Sequence, residues 1–475
     1  MPTQPTESHG TYVVAKFGGT SVADPAGWTT IGEVARGFVD EGHHAVLVCS
    51  AIAGVSDLLE QLAAAFEDAG RCADILDEIG RRHRALASGL DVDPGLISDT
   101  RHELERLVDA TRTLGYLEPR THARLLAAGE LMSTRLGAAR LVADGLDAQW
   151  ADARELLVAE EGALSEDRRW LAAACDASPD DALQGRLHDE ASVTVTQGFI
   201  ARDAETGDTV VLGRGGSATS ASYLAARLEA ERREIWTDVD GLYSAHPGIV
   251  PEAYRLDEVD YSEAETLASL GASVLHPRCI EPVRRGRVEI HIRCTMDPAR
   301  NGTVIRALRR EPAIRAVTHR EGLHLVQMSR RGEWQEVGVL ADITDCFRRH
   351  YLSIDMLASA PNTIQATLDP SASPMWRDRF DAFLEDLRRL CLPRVVPQVG
   401  TVSIIGHDLH TTTAEIAPAL RELEAYDIGL IIPGADGQHV TLVVPGDDTH
   451  EVVRRIHAAL FPSGPPGERA EPRGA

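Results

Sequence analysis

Apolar residues recur along residues 11–308 with two alternating periods, which predicts short buried strands separated by amphipathic helices. Strands are predicted over residues 12–15, 44–49 and 192–201, and helices over residues 55–67, 76–114 and 122–143. Because strands that alternate with helices build parallel sheets, the pattern predicts an α/β fold in which a mostly parallel sheet is covered by helices on both faces.

A different pattern begins beyond about residue 312. A strand, a helix and a strand come first, and a βαββα order typical of ferredoxin-like modules follows. The polar ends, rich in Pro, Gly and charge, are predicted to be disordered tails. The predicted organisation is a tail at residues 1–10, a domain at 11–308, two tandem modules at 315–393 and 398–462, and a tail at 463–475.

Composition narrows the class of protein. Hydrophobic residues make up 43% of the 475 residues and charged residues 25%, as in soluble globular proteins. No apolar run approaches the roughly 18 residues of a membrane span, and the polar amino terminus lacks the apolar stretch of a signal peptide. We therefore expect a cytoplasmic protein. The seven cysteines are scattered without a CxxC pair, which indicates buried free thiols rather than disulfides or zinc sites.

The formal net charge of −25 disfavours nonspecific binding to nucleic acid or to an anionic membrane. We expect neither as a partner. An acidic protein that binds an acidic small molecule needs a locally basic pocket, so the glycine-rich turns that carry basic residues are the first places to look for chemistry.

Lys16 is the single lysine among 48 basic residues, and it lies at the end of a short apolar strand. Gly18 and Gly19 form a turn, and Thr20 and Ser21 can cap a following helix. Such a turn offers backbone N–H groups and a positive helix end to an anion, and the lysine adds a mobile point charge. Phosphate binding and an ordinary strand-to-helix turn both fit this segment.

A second glycine turn, LGRGGS at residues 212–217, also follows a predicted strand and precedes a helix. Its glycines allow backbone N–H groups to approach a ligand closely. Arg214 supplies a forked donor for a carboxylate, and Ser217 adds a hydroxyl. Two such turns, one with the only lysine and one with an arginine, favour a binding site for an anionic ligand.

Two further segments carry candidate polar residues. Glu130 lies near the start of a predicted apolar helix, where it is either a first-turn acid that favours the helix dipole or a partner for a substrate ammonium. Thr237, Asp238 and Tyr243 follow a predicted strand, where doubly wound sheets bind ligands; an Asp-Gly turn is the alternative.

Taken together, these segments resemble the aspartate kinases of the amino-acid kinase fold. The likeness runs from about residue 11 to residue 462 and keeps the family's order. It rests on KFGGTSVAD, SAIAGVSDLL, GELMST, TQGFI, LGRGGS, WTDVDGLY and GASVLHPR, followed by two modules like the family's tandem ACT domains. The resemblance implies a three-layer αβα sandwich with a mostly parallel sheet, followed by two ferredoxin-like ACT modules.

The resemblance also implies an activity: transfer of the γ-phosphoryl group of ATP, with Mg²⁺, to the β-carboxylate of L-aspartate at the head of lysine, threonine and methionine synthesis. A carboxylate is already ionised at pH 7, so no general base is needed; the difficulty is repulsion between two anions. Lys16, Mg²⁺ and the glycine-turn N–H groups can offset that repulsion.

The family motifs assign roles by position. Catalysis falls to Lys16 and Arg214. The implied substrate contacts are Thr20, Ser50, Ser56, Glu130, Arg214, Gly216 and Ser217, with Glu130 at the ammonium and Arg214 at the α-carboxylate. The implied nucleotide contacts are Lys16, Gly18, Gly19, Thr237, Asp238 and Tyr243. No metal ligand is assigned to the protein.

The sequence departs from the family at several charged positions. Ala218 stands where the family reads Asp in GGSD, an Asp that helps to hold the substrate's amino end. His246, Pro247 and Gly248 replace the DPR of the nucleotide loop, and Ser273 replaces a lysine. Three interpretations stay open: an aspartate kinase, a kinase for an aspartate analogue with a modified amino group, and a catalytically silent subunit that assembles with an active kinase.

Regulation follows from the ACT modules. The resemblance implies a homodimer or higher homo-oligomer formed through these modules, with an amino-acid effector near Ser353 and Asp355. A loop that caps a strand is the alternative for these two residues. Because the next segment, ASAPNT, lacks the family's Thr-Ser-Glu run, we predict weakened or altered feedback inhibition.

Overall fold

The computed structural model describes residues 11–162, 165–272, 274–309, 312–329, 338–372, 376–411 and 413–462. The described residues form two compact units. The first draws on Met1–Leu242, Leu256–Ala268 and Ser273–Leu308, and the second on Tyr243–Arg255, Ser269–Ala272 and Arg309–Ala475. The predicted tails at residues 1–10 and 463–475 lie outside the described residues, as does Ser273.

An eight-stranded sheet is the centre of the first unit. Its strands are β1 (Tyr12–Phe17), β2 (His44–Cys49), β3 (Ala148–Ala151), β4 (Val193–Gln197), β7 (Arg232–Thr237), β10 (Glu258–Asp260), β11 (Glu289–Cys294) and β12 (Thr303–Arg306). The order across the sheet is β10-β12-β11-β7-β1-β2-β4-β3, and every neighbouring pair is parallel except β11 with β12. The predicted mostly parallel sheet is confirmed.

The register fixes where the loops emerge. Phe17 at the end of β1 lies opposite Cys49 on β2 and Trp236 on β7. The carboxyl ends of these three strands therefore share one edge of the sheet, the edge at which open α/β sheets bind ligands.

Two short pairs of strands complete the described strands up to residue 309. They are β5 (Ile200–Arg202) with β6 (Thr209–Val211), and β8 (Leu242–Tyr243) with β9 (Arg255–Leu256). The prediction of one strand over residues 192–201 was wrong in one respect: this segment forms two strands, β4 and β5, with an interruption between them. Phe199 has φ 72°, a left-handed backbone conformation that interrupts an extended strand.

The helices up to residue 309 cover the sheet as predicted. They are α1 (Pro25–Asp40), α2 (Val55–Ala64), α3 (Ala69–Leu90), α4 (Ser98–Leu114), α5 (Pro119–Ala143), α6 (Ala153–Leu156), α7 (Glu166–Leu171), α8 (Asp181–Glu190), α9 (Gly216–Arg227), α10 (Tyr261–Ser269) and α11 (Glu281–Gly286). The long helical stretch predicted over residues 76–114 is in fact two helices, because Asp91 ends α3 in a left-handed conformation and Pro94 follows.

Helix α1 is capped by Asp24, not by Thr20 or Ser21 as predicted. The Gly27 N–H donates to the Asp24 carboxylate at 2.9 Å. Ser21 instead lies 3.3 Å from the Thr295 hydroxyl, where the loops after β1 and β11 meet. The capping residue thus lies three to four positions further along the chain than the glycine turn alone indicated.

A six-stranded antiparallel sheet is the centre of the second unit. Its strands are β13 (Ala313–Ser329), β14 (Ile354–Ala360), β15 (Thr363–Leu368), β16 (Leu392–His407), β17 (Leu430–Pro433) and β18 (His439–Pro445). Its helices are α12 (Val339–Arg349), α13 (Trp376–Leu390), α14 (Thr413–Arg421) and α15 (Thr449–Leu460). The sheet order is β14-β15-β13-β16-β18-β17, so two βαββα modules share one sheet, as the predicted fold class requires.

Each module has its own apolar core. Phe347 and Phe383 lie in one cluster and Ile404 and Leu442 in the other. The long strands β13 and β16 pair along their length and connect the two halves of the sheet. Residues 243–255 also belong to this unit, and Ala245, Ile249 and Val250 lie in the second cluster.

Two expectations from composition can be compared with the structure. All seven cysteines are buried and free, as predicted. Within the described parts of the chain, no helix is both long and apolar enough to cross a membrane.

Candidate active site

A cavity of about 830 Å³ opens at the carboxyl ends of β1 and β2 in the first unit. Eight of the residues predicted from the sequence line it: Lys16, Gly19, Ser50, Ser56, Glu130, Arg214, Gly216 and Ser217. These residues come from four segments that are far apart in the sequence. Their convergence makes this cavity the candidate active site.

The first glycine turn is held against the loop after β2. The Ala53 N–H donates to the Gly19 carbonyl at 3.1 Å, and a Cβ added at Gly19 would lie 2.9 Å from the Ala51 carbonyl oxygen. A side chain at this position would therefore force the two loops apart. The absence of a side chain at Gly19 keeps Lys16 and Ser50 on the same wall of the cavity.

Lys16 lies one residue before the end of β1, with its ammonium close to Gly18: a Cβ added at Gly18 would lie 3.5 Å from Lys16 Nζ. Burial first, and then the charge of Arg233, lower the pKa of Lys16 to about 8. The ammonium is thus poorly solvated and strongly available to an anionic ligand.

Arg233 on β7 is the neighbouring cation. Its side chain is fully buried, and its Nη2 donates to the carbonyl of Ala218 at 2.9 Å. Among the described residues, Nε and Nη1 have no hydrogen-bond partner. A buried guanidinium with two unused nitrogens is costly, and its positive charge acts on Lys16.

Glu130 lies in the middle of α5 and not in a first turn, so the helix-dipole alternative was wrong. The side chain is only 3% exposed, and burial raises its pKa to about 8, although backbone hydrogen bonds at Glu130 and Ala51 oppose the shift. Its Oε2 has no hydrogen-bond partner within the described residues. A buried carboxyl with a free oxygen in a cavity is suited to a cationic group of a ligand.

The second glycine turn places Arg214 at the opening of the cavity and directs the amino end of α9 at it. Gly213 and Gly215 have φ 71° and 69°, which L side chains rarely adopt. A Cβ added at Gly215 would lie 2.4 Å from His276. The turn therefore needs glycine both for its conformation and for its packing, and it offers the positive end of a helix to an anion.

Four of the predicted contacts in the first unit lie outside the lining of this cavity: Gly18, Thr20, Thr237 and Asp238. Gly18 closes the turn, with its carbonyl accepting from Ser21 and Val22, and Thr20 is exposed. Thr237 is the last residue of β7, at the same edge of the sheet, and Asp238 follows it; the Thr237 hydroxyl donates to Asp238 at 3.1 Å.

The remaining predicted residues lie in the second unit. Tyr243 is the first residue of its 243–255 segment. Ser353 is exposed before β14, and Asp355 on β14 is ion-paired with Arg320 at 2.5 Å. Arg320 also binds Asp369 at 2.9 Å, so the Asp355 carboxylate belongs to a small charge network.

Sequence reasoning missed several residues of the cavity. His276, in the quoted motif GASVLHPR, lines it and packs on the second glycine turn. His122 and Glu60 line its rim and lie 3.1 Å apart. Arg233, which is not part of the lining, was missed because it stands in a charged run at the edge of an apolar strand pattern and gives no signal until the fold buries it.

Comparisons with known proteins agree with this geometry. Residues 11–294 match the amino acid kinase family. The chain is 32% identical over 461 residues to the lysine-sensitive aspartokinase 3 of Escherichia coli, covering 94% of this chain and 99% of that protein. It is 27% identical to the chloroplastic aspartokinase 1 of Arabidopsis thaliana, covering 96% of this chain and 82% of that protein.

A solved structure gives the same result. The crystal structure of E. coli aspartokinase III in complex with aspartate and ADP superposes with a TM-score of 0.78 at 30% identity, covering 95% of this chain and 100% of that one. The expected kinase fold and family are confirmed. The chain therefore belongs to the amino acid kinase family and, within it, to the aspartokinases.

Proposed function

We propose that this protein is an aspartate kinase that transfers the γ-phosphoryl group of ATP to the β-carboxylate of L-aspartate and yields 4-phospho-L-aspartate. The observation that carries the proposal is the convergence of Lys16, Glu130 and Arg214 in one cavity. These residues supply a cation for the transferring group, a carboxyl for an α-ammonium and a guanidinium for an α-carboxylate.

The chemistry needs little from the protein beyond charge and position. The attacking β-carboxylate oxygen is ionised at neutral pH, so no group has to remove a proton. It forms a bond to the γ-phosphorus while the bond from phosphorus to the bridging oxygen of ADP breaks. Lys16 and the amino end of α9 stabilise the negative charge that spreads over the transferring phosphoryl oxygens.

Substrate orientation falls to the opposite side of the cavity. Glu130 accepts from the α-ammonium, which favours the ionised carboxylate once the substrate is bound. Arg214 donates to the α-carboxylate, and Ser50, Ser56, Thr20, Gly216 and Ser217 are the further contacts that we propose. This arrangement leaves the β-carboxylate directed at Lys16.

ATP is proposed to lie along the carboxyl ends of β1 and β7, with Gly18, Gly19, Thr237 and Asp238 as its contacts. Mg²⁺ would enter with the nucleotide, because it binds through substrate phosphates, waters and one or two carboxylates. The exposed Asp238 carboxylate is a suitable oxygen donor at this edge. When bound, the ion would neutralise phosphate charge alongside Lys16.

A test of the reaction measures ADP release with Mg-ATP and L-aspartate and identifies the acyl phosphate by mass spectrometry. We expect ADP release that depends on L-aspartate and a product heavier by one phosphoryl group. ADP release without aspartate dependence would contradict the proposal. Glu41→Gln, a change at the exposed end of α1 and away from the cavity, is the control variant for this assay.

A second candidate function is favoured by Ala218 and Arg233. Relative to the family pattern the site loses a carboxylate at 218, and it holds a buried cation beside the same residue. Both features suit an acceptor whose amino group is modified or replaced. A panel of N-substituted and deaminated aspartate analogues tests this: higher kcat/KM for an analogue than for L-aspartate would select it, and a gain for L-aspartate in Ala218→Asp would support it further.

The setting of the reaction is part of the proposal. Seven buried free thiols suit a reducing compartment, so we propose that the protein acts in the cytoplasm. We also propose assembly as a homo-oligomer through the second unit and an amino-acid effector near Ser353 and Asp355. The E. coli aspartokinase III crystallised with lysine and aspartate, in its T-state, has a TM-score of 0.76 to this chain at 30% identity, which supports the proposal of an amino-acid effector.

A further inference from the structure

Three side chains in the second unit converge away from the cavity and from the predicted effector residues. His319 and Glu321 lie on β13, and His450 lies in the first turn of α15. One ligand-capable atom from each lies within 4.8 Å of the other two. His450 Nε2 is 2.9 Å from Glu321 Oε1, and the His319 and His450 ring centroids are 5.4 Å apart.

The backbone explains why these residues meet. His319 and Glu321 are two residues apart on β13, where its pairing with β16 becomes irregular between Arg320 and Leu323, and their ligand atoms lie close together there. Helix α15 is held on that sheet by Val452, Val453 and Ile456, all fully buried. Gly400 on β16 allows close seating, because a Cβ there would lie 2.0 Å from the Thr449 hydroxyl, one residue before His450. The cluster therefore stands on rigid elements.

His246 supplies a further imidazole from a fourth direction. Its ring centroid lies 6.2 Å from that of His319, and the two rings are almost perpendicular. Its Nδ1 accepts from the Gly248 N–H at 3.1 Å, so its Nε2 is the nitrogen that remains for a ligand. This is the histidine that replaces the acidic residue of the family's DPR loop.

The segment that carries His246 is fastened to the same elements. The Val317 N–H donates to the Ser244 carbonyl at 2.7 Å, and the Ser244 hydroxyl lies 2.9 Å from His457 Nε2 on α15. All four candidate ligands thus belong to one compact unit and to connected pieces of it. A sequence scan for closely spaced ligands could not detect them, since they lie as much as 204 positions apart (450 − 246).

We propose that His319, Glu321, His450 and His246 form a binding site for a divalent transition-metal ion of the Zn²⁺ type. Three imidazole nitrogens and one carboxylate oxygen match the ligands and the coordination number of tetrahedral zinc. Calcium and magnesium prefer all-oxygen ligands, so the donor set disfavours them. The exposed side chains of Glu321, His450 and His246 can rotate to the roughly 2.0–2.2 Å distances that such an ion requires.

Metal binding at this position has a structural consequence. The ion would connect residues 243–255 to β13 and α15, and so stabilise the second unit. The metal site does not depend on the proposed kinase activity.

The test uses the full-length protein, stripped of metal with a chelator and dialysed. Isothermal titration with Zn²⁺ gives stoichiometry and affinity, and Co²⁺ absorption reports the ligand geometry. We expect one ion per chain, a four-coordinate cobalt spectrum without thiolate charge-transfer bands, and at least about 10-fold weaker binding in His450→Ala and in Glu321→Gln. His246→Ala should weaken binding as well and shift the cobalt spectrum.

His102→Ala is the matched control, because His102 is an exposed histidine on α4 of the first unit. It should bind the ion as the wild type does. Equal binding by wild type, His450→Ala and Glu321→Gln would overturn the site, as would millimolar binding only or thiolate bands. Unchanged affinity and spectrum in His246→Ala would overturn its assignment as the fourth ligand. Circular dichroism of each variant separates lost binding from lost folding.

Discussion

Arg233 lies close enough to Lys16 for its charge to lower the pKa of the lysine, and its Nη2 donates to the carbonyl of Ala218 at 2.9 Å. The two residues are on the same face of the sheet, since Arg233 lies opposite Val14 on β1 and Lys16 follows Val14 by two positions. The first unit thus holds two buried cations at the place where we propose that it binds the most highly charged part of its substrates.

Removal of Arg233 should move the alkaline limb of the pH profile. Without the neighbouring guanidinium, the pKa of Lys16 should rise from about 8, and kcat/KM should hold to higher pH. The measurement is kcat/KM for L-aspartate against pH in Arg233→Met.

The control for that experiment is Arg232→Met. Arg232 is the preceding residue, but its guanidinium is paired with Glu41, Glu231 and Glu234 and lies on the other face of the strand. Its replacement should leave the alkaline limb in place. If both variants shift the limb equally, the Lys16 pKa is not set by Arg233.

Glu130 should set the acid limb. The charged carboxylate is needed for a substrate ammonium, and because its pKa is raised to about 8, that form is lost as pH falls through 8. Lys16 is active as the ammonium, which is lost as pH rises through about 8. The free-enzyme profile of kcat/KM should therefore be a narrow bell near pH 8.

Glu130→Gln should remove the acid limb and lower kcat/KM at the optimum. A hydrogen bond to a charged group contributes about 1.5–3 kcal/mol, so the loss should be on the order of 10- to 100-fold. An unaltered acid limb in this variant would show that another group controls it. Glu60→Gln, a change at the exposed rim, should leave the limb unaltered.

Gly137 in α5 should not tolerate a side chain. A Cβ there would lie 1.7 Å from Trp28 Cη2, and Trp28 is fully buried in the core. Overpacking costs about 1–3 kcal/mol, more than the gain of about 1 kcal/mol in helix propensity. Gly137→Ala should lower the midpoint of thermal unfolding.

Gly37→Ala is the matched helical substitution. Gly37 is exposed near the end of α1, and nothing lies within 4 Å of an added Cβ. This change should leave the unfolding midpoint unchanged or raise it. A similar fall in both variants would contradict the packing explanation for Gly137.

Feedback inhibition should be weak or altered. Asp355 is already ion-paired with Arg320, which also binds Asp369, so an incoming ammonium must compete for its carboxylate. Millimolar lysine or threonine should leave measurable aspartate-dependent activity. Complete inhibition by either amino acid at that concentration would contradict this prediction.

Local patterns predicted the parts of the site that depend on local geometry. The strand, glycine turn and helix around Lys16 and around Arg214 could be predicted from the sequence. A basic residue at the end of a strand, next to glycines, is a local pattern with few other structural explanations. Glu130 was predicted as a candidate and lines the cavity, but its burial was not predicted: an acid looks the same in sequence at the start and in the middle of a helix, and only packing buries it.

Other features depend on contacts between distant segments. Arg233 reads as an edge residue of an apolar run until α9 covers it, and His276 becomes part of the cavity only where it packs on Gly215. The interruption at Phe199 could not be predicted, because the residue in the left-handed conformation is a phenylalanine and not a glycine. Such features need the tertiary fold, since no local pattern specifies them.

The central claim is that the single lysine of this chain stabilises phosphoryl transfer to a carboxylate. Hydroxylamine trapping with Mg-ATP and L-aspartate tests it most directly, with wild type, Lys16→Arg and Lys16→Ala compared side by side. We predict aspartyl hydroxamate from the wild type, at least about a 10²- to 10³-fold loss in Lys16→Ala, and little rescue by the bulkier arginine. Hydroxamate formation in Lys16→Ala at the wild-type rate would contradict the claim.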